Sequence, residues 1–476
     1  MASPLGLYHA LPPGLRSLVA SWHGYRLSAL RYGPQTDLHT DEALERDGWD
    51  SARWKAWHDE RLGRVLRRAA GSVPYYRQRW AERRRKGDST STDVIANWPV
   101  LRKEALRQSP KAFLADGSET RTMYSEHTSG TTGTPVHLWR SRDTIRAWYA
   151  LCEARWRRWY GLTRHDRWAN IGGQLVVPLS QRRPPFWVWN APMHQLYMSS
   201  YHLAGDLAPF YLDALEKYQV KYILGYTSSL HSLALAAKEQ KRKLRLELVL
   251  TNAEPLYAHQ REPISEAFQC PVRETYGMAE AVVAASECEA GKLHLWPDAG
   301  FTEVLDWDSD RAVPTGTTGR IVATGLLDPD MPLVRYETGD SGVLDPDSGP
   351  CACGRTLPRL LRVDGRNDDM LWTKDGRRVG RLDPVFKAGL HIKEAQIVQQ
   401  SLSRIVVRLV PTTGYSEADE RQVKAALIDR LGDVAVSFET VDAIPRETNG
   451  KFRAVVCQLP DEVELSLLPP GTETGR

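Results

Sequence analysis

"HTSGTTGTP", residues 127–135, decides how the rest of the chain is read. Every residue between its two ends carries a hydroxyl or is glycine: Thr128, Ser129, Gly130, Thr131, Thr132, Gly133 and Thr134. Such a loop can turn several backbone N–H groups toward one anion. Hydroxyls add donors, and glycine lets the backbone approach closely. The GxxxxGK[ST] spacing is missing, so this is not a Walker loop. A plain flexible surface loop has the same composition, and the flanking sequence must separate the two readings.

The stretch ahead of the loop, roughly 41–85, patterns as helix. Trp54, Trp57, Leu62 and Val65 fall at helical spacing, with a break near Gly71 and Pro74. After the loop, strand-like and helix-like segments alternate. "KYILGY" (221–226) predicts a strand, "SSLHSLALAAKEQKRK" (228–243) a helix and "LRLELVLTNAE" (244–254) a strand. "YAHQREPISEAFQ" then predicts a helix and "CPVRETYG" a strand running into a turn. This alternation predicts an α/β architecture with a largely parallel sheet. From 301 to 345, short β-rich segments predict a small β-rich subdomain. Beyond "GRNDD" (365–369), "SRIVVRLVP" and "VAVSFETV" predict strands around the helix "EADERQVKAALIDRLG". The division is a large N-terminal domain, 1–364, and a small mobile α+β C-terminal domain, 365–476. Roughly the last 10 residues are expected to be disordered.

The 476 residues are 42% hydrophobic, enough for a large core in more than one unit. The 63 basic and 59 acidic residues nearly cancel, which argues against nucleic acid as a partner. The arginine-rich "WRRWYGLTRHDRW" is read as solvated helix faces. No stretch approaches the ~18 apolar residues of a membrane span. The first residues lack the apolar core of a signal peptide, so a cytoplasmic protein is expected. Six cysteines are too few for a disulfide scaffold.

The order "TSGTTGTP" closely resembles the phosphate-binding loop of the adenylate-forming superfamily: acyl-CoA ligases, peptide-synthetase adenylation domains and luciferases. Further segments resemble that superfamily in the same order. They are "TNAEP" (251–255), "ETYGMAE" (274–280), "RYETGD" (335–340), "VDGRNDDML" (363–371) and "PRETNGKFR" (445–453). "VPYYRQRW", "GYTSSL" and "CACGRTLP" resemble the phenylacetate–CoA ligase branch, most of all its divergent members of polysaccharide loci.

The resemblance implies ATP- and Mg²⁺-dependent activation of a carboxylic acid as an acyl-adenylate. It gives Thr128, Ser129, Gly130, Thr131, Thr132 and Gly133 to the ATP phosphates. Ala253, Glu254, Pro255, Tyr276 and Gly277 would form the adenine pocket, and Glu280 would hold Mg²⁺. Asp340 would bind the ribose hydroxyls, assisted by Arg366, and Asp368 would be the hinge. Lys451 would be the catalytic cation between carboxylate and α-phosphate. Tyr226, Thr227 and Gly173 are acyl-pocket candidates, with core packing the competing use.

The segment after the hinge, "LWTKDGRRVG" (371–380), departs from the glycine-bearing strand usual in coenzyme A ligases. The acyl acceptor therefore stays open between coenzyme A, a carrier-protein thiol, and a sugar amine or hydroxyl. A homodimer is compatible with the family. Cys288, His294, Cys351 and Cys353 supply the donor types of a structural Zn²⁺ site. Their two halves lie far apart in the chain, so reduced, unmetallated thiols remain the alternative.

Overall fold

A computed structural model describes residues 4–127, 136–178, 180–203, 207–347, 349–366, 371–374, 378–379, 382, 390–446 and 452–460. The chain opens with helices. Proline starts Pro13–Arg31, Pro34–Arg46 and Pro74–Arg85, where a missing N–H costs nothing. Ser51–Ser72 is capped by Asp50, whose carboxylate accepts from Arg53 N at 2.7 Å. The predicted break falls between Ser72 and Pro74.

These helices pack on a sheet of twelve strands. Five neighbours are parallel: Gln195–Ser199, Trp168–Gly172, Tyr222–Tyr226, Leu248–Asn252 and Val272–Gly277. Their near-continuous burial fits a sheet covered on both faces. The chain lays down Trp168–Gly172 first. It then adds Gln195–Ser199 on one side and Tyr222–Tyr226 on the other. The strand order therefore reverses at Trp168–Gly172, and α/β sheets bind ligands in the crevice such a reversal opens. Beyond Val272–Gly277 the sheet turns antiparallel. The β-rich stretch supplies Gly300–Leu305, Thr318–Gly325 and Tyr336–Leu344, so it continues the main sheet and forms one face with it.

The expected strand over 244–254 is shorter, Leu248–Asn252. Leu244 N and Leu246 N instead bond the carbonyls of Ala267 and Phe268, at the end of the following helix. In the arginine-rich stretch Arg158 and Arg167 are exposed, as expected, but Arg157 is not. Arg157 is buried, donating to Tyr222 Oη at 2.6 Å and pairing with Glu153 at 3.4 Å. Its neighbour Arg155 is wholly buried between Asp47 at 2.8 Å and Asp298 at 2.5 Å. Internal pairing explains why such charges leave water.

The C-terminal unit is a four-stranded sheet in the order Ala435–Thr440, Arg404–Pro411, Ile392–Ser401, Val455–Cys457. The helix Glu417–Leu431 covers it through Val423, Leu427 and Leu431. Among the described residues, no helix is long and apolar enough to cross a membrane.

Candidate active site

Carboxyl ends of the parallel strands carry several of the predicted residues. Tyr226 ends one strand, Ala253 and Glu254 follow the next, and Tyr276 and Gly277 end a third. Ala253 has φ +63°, in the left-handed region that a non-glycine residue rarely adopts. Such strain persists where the surroundings enforce it, often at ligand sites. Tyr276 donates from its hydroxyl to Asp340 Oδ2 at 2.8 Å. Burial pushes the Tyr276 phenol well up, and Asp340 beside it pushes further, so the phenol stays a donor. Asp340 pairs in register with Arg366 on the adjacent strand. Gly365, at φ +97°, lies against Pro255; a Cβ there would sit 3.8 Å from the ring. The adenine-loop, ribose and pre-hinge candidates thus share one end of the sheet.

Glu280 is buried and accepts from Tyr336 Oη at 2.7 Å, with Lys103 Nζ 3.4 Å away. The strands Tyr124–His127 and His137–Arg140 pair on either side of the phosphate-loop candidate. Arg140 ties this hairpin down by donating to Glu126 at 2.5 Å and to the Ala279 carbonyl, next to Glu280. The loop residues Thr128, Ser129, Gly130, Thr131, Thr132 and Gly133 lie outside the described residues, as do Asp368, Lys451 and the Arg366 side chain.

Glu254 has a role that its sequence position did not signal. One carboxylate oxygen accepts from Ser228 N at 2.7 Å, and the other from Phe452 N at 2.7 Å. Enclosure pushes its pKa up, while these N–H groups pull it down. Phe452 belongs to the C-terminal unit, so the adenine-loop candidate also clasps that unit. Thr227 is buried, and its hydroxyl donates to the Glu254 carbonyl at 3.1 Å. Gly173 is held between two tyrosines. Its carbonyl accepts from Tyr201 Oη at 3.1 Å, and its backbone bonds the Tyr226 phenol, which burial pushes up to about 12. Tyr336 and Lys103 were not singled out from sequence, although Tyr336 lies inside the "RYETGD" segment.

The cysteine–histidine set comes together. Ligand atoms of Cys288, His294, Cys351 and Cys353 all lie within 4.8 Å of one another. Cys288 Sγ and Cys351 Sγ are 3.8 Å apart, and Cys353 Sγ is 3.4 Å from His294 Nε2. A tetrahedron of Zn–S bonds of ~2.3 Å separates its sulfurs by ~3.8 Å. His294 Nδ1 lies 3.1 Å from the Leu357 carbonyl, the partner that leaves Nε2 as the coordinating nitrogen. Burial holds this imidazole down near 4, in its neutral ligand form.

The profile described as "AMP-binding enzyme" matches residues 56–326, more than half of the chain. The chain is an AMP-binding enzyme. A second profile, the CapK C-terminal domain, matches residues 371–458. The enzyme is 25% identical to Protein CapK of Staphylococcus aureus over 78% of its own length and 82% of that protein. It is 30% identical to the phenylacetate-coenzyme A ligase of Thermus thermophilus over 51% and 55% of the two chains. Among solved structures, a 2-hydroxyisobutyryl-CoA ligase in the postadenylation state shares its fold. The TM-score is 0.67 and the identity 23%, covering 89% of this chain and 93% of that one. The AMP-binding enzyme is thus an adenylate-forming ligase of the phenylacetate–CoA ligase-like branch, with CapK among its divergent members.

Proposed function

We propose that the enzyme joins a carboxylic acid to the α-phosphate of ATP and then passes the acyl group to coenzyme A. In the first step a carboxylate oxygen attacks the α-phosphorus, and the bond to pyrophosphate breaks. In the second, the thiol sulfur attacks the acyl carbon, and AMP leaves with its phosphate oxygen. The first step needs positioning and charge neutralisation more than covalent help. Asp340 accepts from the ribose hydroxyls, and Tyr276 packs on adenine and fixes Asp340. Glu280 supplies the hard oxygen ligand that Mg²⁺ favours alongside phosphates and water. The four Cys/His residues hold a structural Zn²⁺. ATP and coenzyme A fit a cytoplasmic setting.

The bond from Phe452 N to Glu254 carries this reading. Lys451 is one peptide link, about 3.8 Å between Cα atoms, from a residue bonded to the adenine-loop candidate. A cation there neutralises charge as the carboxylate meets the α-phosphate. The match of residues 371–458 to the CapK C-terminal domain favours a second reading for the acceptor alone. On that reading a carrier thiol or a sugar amine or hydroxyl replaces coenzyme A.

Pyrophosphate release from ATP across a panel of acids, with and without coenzyme A, tests both steps. Lys451→Ala should lower release by ~10²–10³. Release indifferent to Lys451→Ala would sink the proposal. Release that coenzyme A does not accelerate would select the second acceptor.

A further inference from the structure

Residues 1–36 contain no aspartate or glutamate, and neither do residues 167–205, although the chain holds 59. The formal charges of both stretches come from arginine alone: Arg16, Arg26, Arg31, Arg167, Arg182 and Arg183. The fold brings the two stretches together at one end of the main sheet. The second supplies the strands Trp168–Gly172, Gln195–Ser199 and Trp187–Asn190, which close that end. The first supplies the helix Pro13–Arg31, which packs on the outermost of them. Ser17 accepts from Trp189 N, and Ser21 donates to the Trp189 carbonyl, each at 3.2 Å. Arg16 donates to Gln181 at 3.0 Å, which ties the loop 181–185, with the exposed Arg182 and Arg183, to the same helix.

This helix is apolar on two faces. The inner face presses on the sheet at Gly24, where a Cβ would collide with the Asn190 side chain. Ala20 and Leu27 line the space beside it. The outer face carries Leu15, Leu18, Trp22 and Tyr25, which are 47% to 67% exposed. Their spacing keeps them on one side of the helix, and none of them lines the inner space. A stripe holding both a tryptophan and a tyrosine exposes on the order of 500 Å² of apolar surface, the scale at which a patch marks an interaction site. Folding does not call for it, because the inner face already anchors the helix. Arg26 borders the stripe, its guanidinium 5.3 Å from the Trp22 ring.

We propose that this face seats the enzyme on an anionic lipid surface. Leu15 and Leu18 reach the acyl chains, and Trp22 and Tyr25 sit at headgroup level, where amphipathic rings are favoured. Arg26, Arg182 and Arg183 meet the lipid phosphates. The charge pattern selects this occupant over a second copy of the chain. A two-fold contact through this face would set the same acid-free, arginine-bearing surface against itself. Peripheral binding draws on buried apolar area and on attraction to anionic headgroups together, and this face offers both.

The test sediments the full-length enzyme with vesicles of phosphatidylcholine alone and with mixed phosphatidylcholine–phosphatidylglycerol vesicles. The expected result is strong partition onto the mixed vesicles, weak partition onto the neutral ones, and release as salt screens the charges. Arg182→Gln with Arg183→Gln should weaken partition by about tenfold. Leu18→Ser with Trp22→Ser should weaken it by about tenfold or more. Both pairs are exposed, so each variant should keep the wild-type melting transition. Failure to sediment with the mixed vesicles overturns the proposal. Equal partition onto both vesicle types, or partition unchanged in both variant pairs, does so too. A dimer seen by sedimentation velocity without vesicle binding, and abolished by Leu18→Ser with Trp22→Ser, gives the face to a second copy and likewise overturns it.

Discussion

Tyr276 and Asp340 come from strands far apart in the chain and meet through one hydrogen bond of 2.8 Å. That bond engages one carboxylate oxygen and orients the group for the ribose role proposed above. Asp340→Ala removes a charged acceptor, worth ~1.5–3 kcal/mol, and should raise KM for ATP on the order of ten- to a hundredfold. Tyr276→Phe removes only the orienting donor and should raise it less, by about 1 kcal/mol or some fivefold. Steady-state kinetics on both variants would show whether that order holds. Cys288, His294, Cys351 and Cys353 make a different kind of claim. Protein purified without chelator should carry one zinc per chain by elemental analysis. Cys288→Ser should lose it and melt at lower temperature. Metal-free wild type with an unchanged melting curve would count against the site.

Among elements, the parallel strands at 222–226, 248–252 and 272–277 were legible because their apolar runs are short and bounded by turn residues. The small C-terminal unit was legible for the same reason. Other features depended on partners distant in sequence. Composition gives no hint that Arg155 would sit between Asp47 and Asp298, which come from different elements. The Cys/His residues could be recognised as ligand types. Their assembly needed Leu293–Leu295 to pair with Arg359–Arg366, a register no local pattern announces. Family-like segments named the ATP-site candidates, but not the bond from Phe452 N to Glu254.

Arg155 joins the N-terminal helices to the sheet, so its loss acts on two elements together. Arg155→Met removes the ion-pair partner of the buried Asp47 and leaves Asp298 with Arg46 alone, and should cost about 3–5 kcal/mol in chemical denaturation. The same group sets an acid limit. Burial pushes the Asp298 carboxyl up, but Arg155 and Arg46 pull it below its usual value. A carboxyl depressed in the folded state contributes stability above its unfolded pKa of about 3.9, and that contribution is lost as pH falls through the folded value. Melting temperature should therefore decline below about pH 4. Asp298→Asn should flatten that decline. Asp47, raised by burial more than Arg155 lowers it, works in the opposite sense, so Asp47→Asn should not.

For the whole molecule, the Glu254–Phe452 bond links the C-terminal unit to the end of the main sheet that carries the adenine-loop candidate. Glu254→Ala should weaken that docking. Adenylation, measured as pyrophosphate release, should fall by about tenfold or more, the equivalent of a charge-assisted bond. Transfer from preformed acyl-adenylate should fall less on the proposed reading, in which the C-terminal unit turns away from this contact for the second step. Equal losses in both half-reactions would assign Glu254 to nucleotide binding alone.

Ser17 and Ser21 of the helix Pro13–Arg31 bond Trp189 and Ala191, within and just beyond the strand Trp187–Asn190, and this also matters for the fate of the newborn chain. That strand is the outermost of its side of the sheet, and its two tryptophans would make it an adhesive margin in a crowded cell. Synthesis proceeds from the N-terminus, so the helix that shields this margin leaves the ribosome before the margin itself. Clipping those first helices would remove a built-in guard against clumping.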